Sequence, residues 1–305
     1  MGDLKENGQI ALGFIGFGEA PYHMTKGFPP EQVRVYAFDI QAKESSAKAR
    51  KVQEHAAENQ VILVDSIEEL VNSGEILLNF TSADAALPAA LQTAPLLKEN
   101  QVYLDMNSMS PQSKQKIAEA FENSAGSFVE AAVMSSVPAN GARVPIHLCG
   151  ETAEEVSARL NGLGMRTTFL SREVGLASAV KILRSVLAKG MIALLTETVF
   201  AANHYHITEE VLETMYRTMT REMTFQEFCH YSVCSAAIHN GRFCHEMEEA
   251  LKTLDALHEN STMTQAALKK FEWMQQCGFA DHFSERPKTY DEVLKVKDFI
   301  ESERM

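Results

Sequence analysis

Cysteine is scarce in this chain of 305 residues, and no Cys-x-x-Cys pair occurs. The five cysteines are odd in number, which disfavours a disulfide framework and favours a reducing compartment. Several cysteines and histidines occur between Cys229 and His245, but they do not form the two pairs of closely spaced ligands that a structural zinc site usually has. We therefore predict no metal site.

Positive charge is also in short supply, because 28 lysines and arginines face 41 aspartates and glutamates. The net charge of −13 would repel nucleic acid and anionic membranes, so we expect neither as a partner. Residues 1–6 are charged and lack the apolar core of a secretion signal. No uninterrupted apolar run approaches the ~18 residues that span a membrane. Together these absences predict a cytoplasmic protein.

What the chain does contain is an apolar run, residues 10–15, that leads directly into Gly16 and Gly18. Gly16 permits a tight turn, and Gly18 lets the backbone approach a pyrophosphate at the start of the following helix. A second apolar run ends on Asp39, the expected partner of an adenosine ribose about 20 positions after the glycines. A strand–helix turn without a ligand is the alternative, and the acid at this distance disfavours it.

The cofactor predicted from this motif is NAD, because the charge of Asp39 would repel the 2′-phosphate of NADP. Lys43 is close enough in sequence to keep NADP possible. Pro21 replaces the third glycine of the motif, so Ala20 is expected to supply the small residue for close packing. From the motif and from the end of a later strand, the predicted cofactor-binding residues are Gly16, Phe17, Gly18, Glu19, Ala20, Asp39 and Thr81.

Short β-rich runs alternate with helical patterns in the first half of the chain, which predicts a mostly parallel sheet covered by helices. After residue 171 the β signal stops, and shorter helices are expected with loops near residues 240–241 and 286–287. We predict an α/β Rossmann-type N-terminal domain over residues 1–171 and an all-α C-terminal domain, for substrate binding and dimerisation, over residues 172–305. The predicted strands are 10–15, 33–38, 61–64, 75–80, 102–106, 127–134, 144–149 and 166–170, and the helices between them are 42–58, 66–73, 83–98, 111–123 and 151–163.

Residues 175–204 read as one long helix that is apolar around most of its circumference. Such a helix is buried in a core or between subunits, so we expect at least a homodimer. Lys181, Ser185 and Lys189 share one face of it. Burial would lower the pKa of Lys181 towards that of a general base. The alternative is that both lysines reach solvent and that Ser185 bonds a backbone carbonyl.

Three segments carry a resemblance to a known family. Residues 13–18 match a Gly-x-Ile-Gly-x-Gly opening, residues 130–136 stand where the family has Asp-Ala-Pro-Val-Ser-Gly-Gly, and a glycine turn at 175 leads to Lys181, with Ser185 at the place of an asparagine. The chain thus resembles the β-hydroxyacid dehydrogenase family, which includes 3-hydroxyisobutyrate and 6-phosphogluconate dehydrogenases. Within that family it is most similar to a branch of phosphogluconate-dehydrogenase-like proteins.

The resemblance implies that Lys181 is the general acid/base of an NAD(P)-dependent dehydrogenase. Its substrate would be a small 3-hydroxyacid, either a sugar acid or an amino-acid-like compound. Residues 105–108 resemble the family's Asp-x-Ser/Thr turn, which adds Asn107 and Ser108 to the cofactor site; a strand end followed by a helix cap is a compatible alternative. The implied substrate-binding residues are Met134, Ser135, Ser136 and Ser185.

Two residues of the second domain, Arg242 and His245, are candidate donors to a distal group of an anionic substrate. The alternative is that they are ordinary surface residues after a turn at 240–241. Two other functions stay open. One is an imine or ketone reductase on the same scaffold, although related imine reductases commonly lack the lysine. The other is a non-catalytic, dinucleotide-binding regulatory protein.

Overall fold

One sheet dominates the N-terminal half of the computed structural model, which describes residues 9–44, 46–219 and 223–303. Its strands are β1 (Ile10–Ile15), β2 (Val33–Phe38), β3 (Ile62–Leu63), β4 (Ile76–Asn79), β5 (Val102–Asp105), β6 (Ser127–Val133), β7 (Pro145–Cys149) and β8 (Arg166–Ser171). They lie in the order β3-β2-β1-β4-β5-β6-β7-β8, and each neighbouring pair is parallel except β6 with β7. The predicted α/β domain with a mostly parallel sheet is confirmed.

Helices connect the strands and bury the sheet. They are α1 (Glu19–Thr25), α2 (Ala47–Glu58), α3 (Ile67–Ser73), α4 (Ala86–Thr93), α5 (Pro111–Glu119), α6 (Val137–Asn140) and α7 (Ala153–Gly162). Two clusters of buried apolar side chains fill the space beneath them, one around Phe14 and Val35 and the other around Leu77 and Tyr103. Every residue of β4 and β5 is buried, which explains why these strands read as nearly continuous apolar runs.

The strand order reverses beside β1, and this positions the site. From β1 the chain builds outward to β2 and β3 on one side, and it returns to β4 on the other. Ile15, the last residue of β1, lies between Phe38 of β2 and Asn79 of β4. Ligands of open α/β sheets bind beyond the carboxyl ends of the strands at such a reversal. The residues that follow β1, β2 and β4 therefore converge on one crevice.

The remainder of the described chain is helical, so the predicted all-α C-terminal region is confirmed. Its helices are α8 (Leu176–His204), α9 (Thr208–Met219), α10 (Phe225–Ala256), α11 (Thr262–Gln276) and α12 (Tyr290–Ser302). Buried side chains of α10, α11 and α12, among them Ala237, Met274 and Ile300, form a small core. The predicted loop near residues 286–287 lies between α11 and α12, as expected.

Near the loop predicted at residues 240–241 the chain has a kink between two helical stretches of α10, without a longer loop. The helix is kinked at His239, whose backbone angles are not helical. Asn240 is buried there and donates a hydrogen bond from its side chain to the carbonyl of Ala237 at 2.8 Å. Cys234 and Cys244 are buried on either side of the kink. The predicted interruption is thus present as a kink one residue before Asn240.

The chain divides into two compact units between Ser185 and Val186, inside α8, whereas the change from sheet to helix occurs between β8 and α8. Among the described residues, α8 is the one helix that is long and apolar enough to cross a membrane by length and composition, although little of it is buried. Charged residues such as Lys189 and Glu197 interrupt the apolar sequence of α8, so α8 contains no uninterrupted apolar run of membrane-spanning length.

Candidate functional site

A crevice of about 430 Å³ opens at the carboxyl ends of β1, β2 and β4. Gly16 has a φ of +84°, and a Cβ atom there would lie 3.0 Å from the carbonyl oxygen of Phe80, so both its conformation and its neighbour require glycine. Gly18 is exposed, and a Cβ atom there would meet nothing within 4 Å. Its backbone is thus open to a ligand. Asp39 and Thr81 line the same crevice, so the structure brings four predicted cofactor residues together.

The carboxylate of Asp39 is fixed at the rim of this crevice. Its two oxygens accept hydrogen bonds from the backbone N–H groups of Phe17 and Gln41, each at 2.8 Å. A carboxylate oxygen has two lone pairs, so both atoms can still accept from a ribose hydroxyl. Among the residues that the structure describes, those that line the crevice include no lysine or arginine. Lys43 instead contacts Asp65 at 3.1 Å. The crevice therefore fits the adenosine half of a dinucleotide.

Three other predicted cofactor residues lie at the start of α1. The ring of Phe17 is buried in the core, so only its backbone faces the turn. Glu19 is exposed and pairs with Lys51, which lowers the pKa of the glutamate chiefly through their hydrogen bond. Ala20 packs against the core beneath the helix. The negative charge of Glu19 is thus partly compensated where a pyrophosphate would approach.

A buried ion pair lies at the carboxyl end of β5, and the sequence analysis missed it. Lys114 of α5 donates to the Asp105 carboxylate at 2.7 Å, and both side chains are 0 % exposed. The ammonium also donates to the Asp105 carbonyl at 2.8 Å and to the Ala131 carbonyl at 3.4 Å. Lys114 shares the apolar face of α5 with Ile117. A lysine on the buried face of a helix is the signal that could have identified it.

The other oxygen of Asp105 organises the predicted turn at the end of β5. It accepts hydrogen bonds from the side chains of Asn107 at 2.7 Å and Asn79 at 3.2 Å. The Asn107 amide also lies 3.5 Å from the Thr81 hydroxyl, which links this turn to the crevice. Ser108 follows and is exposed. Asn107, Thr81 and Asp105 thus form one hydrogen-bonded group at the ends of β4 and β5.

A second buried carboxylate anchors the start of α8. Glu130 of β6 is 0 % exposed and accepts hydrogen bonds from the backbone N–H groups of Gly175 at 2.6 Å and Ser178 at 2.7 Å. These N–H groups have no partner within the helix, and the helix dipole favours a negative charge there. Glu130 is paired in register with Asp105, so the two carboxylates lie on neighbouring strands. Sequence reasoning gave Glu130 no role.

Lys181 lies one turn beyond this anchor and is half-buried. Burial lowers its pKa, and the positive charge of Lys114 lowers the pKa further. Both effects favour the neutral amine. Ser185 donates its hydroxyl to the carbonyl of Lys181 at 3.0 Å, which is the backbone-bonded arrangement weighed as the alternative for this serine. Lys189 is exposed.

The predicted substrate segment follows β6. The carbonyl of Met134 accepts a hydrogen bond from the guanidinium of Arg184, a residue that the sequence analysis did not consider. Ser135 and Ser136 are exposed, and the side chain of Asn140 donates to the Ser136 carbonyl at 2.8 Å. These residues belong to the same unit as Lys181.

The two predicted distal residues are on α10, in the helical unit. Arg242 is exposed and lies 3.4 Å from Glu246, and His245 is exposed and lies 3.3 Å from Glu248. Each is thus paired with a glutamate on its own helix. Within the described part of the chain, no group of three or more histidine, cysteine, aspartate or glutamate side chains could hold a metal ion.

Comparisons with known proteins agree with this architecture. Residues 11–158 match the NAD-binding domain of 6-phosphogluconate dehydrogenase, and residues 202–274 match a domain of unknown function, DUF1932. An uncharacterised 28.5 kDa protein of Methanothermus fervidus is 26% identical over 268 residues, which cover 88% of this chain and 100% of that protein.

Solved structures give the same result. A conserved protein reported to resemble 3-hydroxyacid dehydrogenases is 30% identical, with a TM-score of 0.61 over 88% of this chain and 97% of its own. A conserved hypothetical protein of Sinorhizobium meliloti is 29% identical, with a TM-score of 0.63 over 96% and 97%. An imine reductase of Myxococcus stipitatus in complex with NADP⁺ shares the fold at 16% identity, with a TM-score of 0.66 over 88% and 96%. The chain therefore belongs to the family of 3-hydroxyacid-dehydrogenase-like proteins in which the NAD-binding domain of 6-phosphogluconate dehydrogenase precedes the helical domain DUF1932.

Proposed function

We propose that this protein is an NAD(P)-dependent oxidoreductase that interconverts a small 3-hydroxyacid, a sugar acid or an amino-acid-like compound, with its keto form. The observation that carries the proposal is the half-buried Lys181, whose pKa is lowered by burial first and by the charge of Lys114 second. A lowered pKa favours the neutral amine, which is the form that accepts a proton from a hydroxyl. The bound nicotinamide would accept or return the hydride.

Lys181 is proposed to transfer the proton that accompanies the hydride. On oxidation its neutral amine takes the proton of the substrate hydroxyl, and on reduction its ammonium returns that proton to the carbonyl oxygen. Glu130 holds the first turn of α8, so it fixes the helix from which Lys181 projects. The hydroxyls of Ser135, Ser136 and Ser185 are proposed to bind the substrate, with the backbone of Met134 beside them.

We retain Arg242 and His245 as the proposed contacts of a distal anionic group. Both are exposed and form surface pairs with glutamates of α10, and the guanidinium of Arg242 also lies 5.3 Å from the ring centroid of Phe243. Surface pairs of this kind are weak, so a ligand carboxylate or phosphate can replace either glutamate. Charge-removing changes at these two positions should raise KM for an anionic substrate while leaving kcat close to its original value.

NAD is proposed as the preferred cofactor. The crevice presents the Asp39 carboxylate, and the described residues that line it include no lysine or arginine that could neutralise a 2′-phosphate. Lys43 is not among these lining residues and pairs with Asp65 at 3.1 Å. Titration of the protein with NADH and NADPH, followed by nicotinamide fluorescence, tests this preference. Binding of NADPH tenfold tighter than NADH would contradict it.

The test of the function is cofactor turnover against a panel of 3-hydroxyacids, with cyclic imines as the second arm. Oxidation of a hydroxyacid, measured as NADH formation, supports the proposal. Reduction of imines without hydroxyacid oxidation would identify an imine reductase, in which Lys181 acts as the proton donor. Cofactor binding without turnover of either class would favour a non-catalytic regulatory protein.

We also propose that the protein is a cytoplasmic homodimer. In the helical unit, α8 exposes large apolar side chains where a second copy of the chain would bury them, namely Val186, Leu187, Ile192, Leu194, Leu195 and Phe200. Lys189 and Glu197 lie within the same helix, and charges inside a bilayer are costly, so we favour a protein partner over a membrane. Sedimentation of the protein, with and without lipid vesicles, distinguishes the two.

A further inference from the structure

The crevice at the ends of β1, β2 and β4 continues past the residues that fit the pyrophosphate and the ribose. Gly16 and Gly18 are open to the pyrophosphate, and Asp39 is open to the adenosine ribose. Six further lining residues come from the segment after β2, from the start of α3, and from α4 with the residue before it. They are apolar except for one amide, and they are Ile40, Ile67, Ala85, Pro88, Ala89 and Gln92. This group lines the space available to the adenine base.

One face of α4 forms a wall of short side chains in this space. Ala85, Pro88, Ala89 and Gln92 recur at the spacing i, i+3, i+4 and i+7, so they share one face of the helix. The first three have short side chains, which leaves room for a planar ring close to the helix backbone. Ligand pockets are mostly lined by such apolar groups, with a few polar groups that fix the orientation of the ligand. The wall therefore suits the apolar face of a base.

Two isoleucines supply the other apolar contacts. Ile40 directly follows Asp39 and is 75 % exposed. Ile67 is buried at the start of α3. A base that covers Ile40 removes its side chain from water, and the burial of apolar surface is favourable. Because Ile40 is next to the carboxylate that fits the ribose, this gain is available where the base is attached.

Gln92 is the polar member of the group. It lies about 10 Å beyond Ala85 along the helix axis. It is exposed, and its carboxamide has no hydrogen-bond partner among the residues that the structure describes. The other polar side chains in the described lining belong to the residues that follow β2 and β4, namely Asp39, Gln41, Thr81 and Ser82. The amide of Gln92 is thus a donor and an acceptor at the far end of the apolar wall from β4.

We propose that Gln92 recognises the adenine base of the bound dinucleotide. The base lies along the wall of α4 with Ile40 against it. The amide oxygen of Gln92 accepts from the N6 amino group, and the amide nitrogen donates to an adjacent ring nitrogen. A neutral amide suits this neutral base better than a charged group does. This inference rests on the proposed dinucleotide cofactor, and it adds the residue that selects the base.

The test compares the affinities of the full-length protein for NAD⁺ and for nicotinamide hypoxanthine dinucleotide, measured by isothermal titration calorimetry without substrate. Hypoxanthine carries a carbonyl oxygen where adenine carries the N6 amino group. Gln92→Lys places an ammonium there, which donates to the carbonyl oxygen but finds no acceptor on the amino group. We expect this change to shift the ratio of the two affinities towards the hypoxanthine dinucleotide by about tenfold.

Gln41→Lys is the matched control, because it makes the same substitution in the same crevice, beside Asp39. A positive charge in the crevice attracts both dinucleotides alike, so this general effect cancels in the ratio. The ratio in Gln41→Lys should equal that of the parent. Gln92→Met removes the amide and keeps the length of the side chain, and it should weaken NAD⁺ binding by about three- to tenfold.

The same ratio in Gln92→Lys and in the parent would overturn the proposal, and so would an equal shift in both lysine variants. Because Gln92 is exposed, its variants are expected to fold. The ratio is measured without turnover, so it is separable from the proposed reaction. A shifted ratio in a protein that oxidises no hydroxyacid would leave base recognition standing and refute the proposed function. Hydroxyacid oxidation with an unchanged ratio would do the reverse.

Discussion

The two units of this protein differ in where they place charge. Besides surface pairs such as Lys43 with Asp65, the α/β unit buries two carboxylates completely, and each has its partner in place: Asp105 with Lys114, and Glu130 with the start of α8. The helical unit keeps its ion pairs on the surface and exposes large apolar side chains along α8. The first arrangement is satisfied within one chain, whereas the second gains from a partner.

The largest effect is expected from replacing Lys181, the proposed acid–base residue of the α/β unit. Lys181→Met should lower turnover by roughly 10²–10⁴-fold, the usual range for removal of an acid–base group, while cofactor affinity stays the same. Methionine keeps most of the apolar stem, so the fold should be retained. Steady-state kinetics and cofactor titration measure both properties. Lys189→Met is the control on the same helix face, and it should change KM more than kcat. Equal, small effects of the two changes would remove the catalytic role of α8.

The next prediction compares how much a buried and an exposed ion pair contribute to the stability of the protein. Lys114→Met alone should destabilise the protein by about 3–5 kcal/mol, because it leaves the Asp105 charge buried without a partner. Lys252→Met breaks the exposed pair with Glu249, at 2.6 Å, and should change stability little. Urea unfolding of the two variants makes the comparison. Similar midpoints would show that Asp105 finds another partner.

A smaller effect is expected at the exposed face of the helical unit. Leu187→Glu and Leu194→Glu should each weaken self-association by about tenfold or more, because a carboxylate would be buried between the copies. Leu91→Glu is the control, since Leu91 is an isolated exposed leucine of the α/β unit. Analytical ultracentrifugation over a range of concentrations measures the change. Unaltered self-association of both α8 variants would show that the interface between the copies does not include this face of α8.

The smallest effect concerns stability and pH. Because the pKa of Lys181 is lower in the folded than in the unfolded state, the folded protein binds fewer protons between the two pKa values, and its stability rises with pH across that window. Lys181→Met abolishes this dependence. The variant should therefore be more stable than the parent at neutral pH, and the advantage should shrink as the pH approaches the ordinary lysine range. Thermal unfolding at several pH values would show it. An advantage that grows with pH would contradict the lowered pKa.

The sheet and the glycine turn could be predicted from sequence because each leaves a local signal. Strands buried on both faces read as apolar runs, and Gly16 needs a positive φ that glycine readily adopts. The roles of Lys114 and Glu130 could not be predicted, since they depend on contacts between distant segments. Glu130 and Gly175, for example, are 45 positions apart.

The register of Asp105 with Glu130 also bears on how the sheet folds correctly. Parallel strands lack a connecting hairpin to set their alignment, and a slip of one residue moves each side chain to the opposite face of the sheet. A slip of two residues keeps every side chain on its own face, so apolar patterning alone does not prevent it. Such a slip of β6 would place Phe128 or Ala132 beside Asp105 and would carry Glu130 away from the N–H groups of α8. The hydrogen bonds of Glu130 to α8 therefore favour the observed alignment of β6 with β5, which apolar patterning alone does not select.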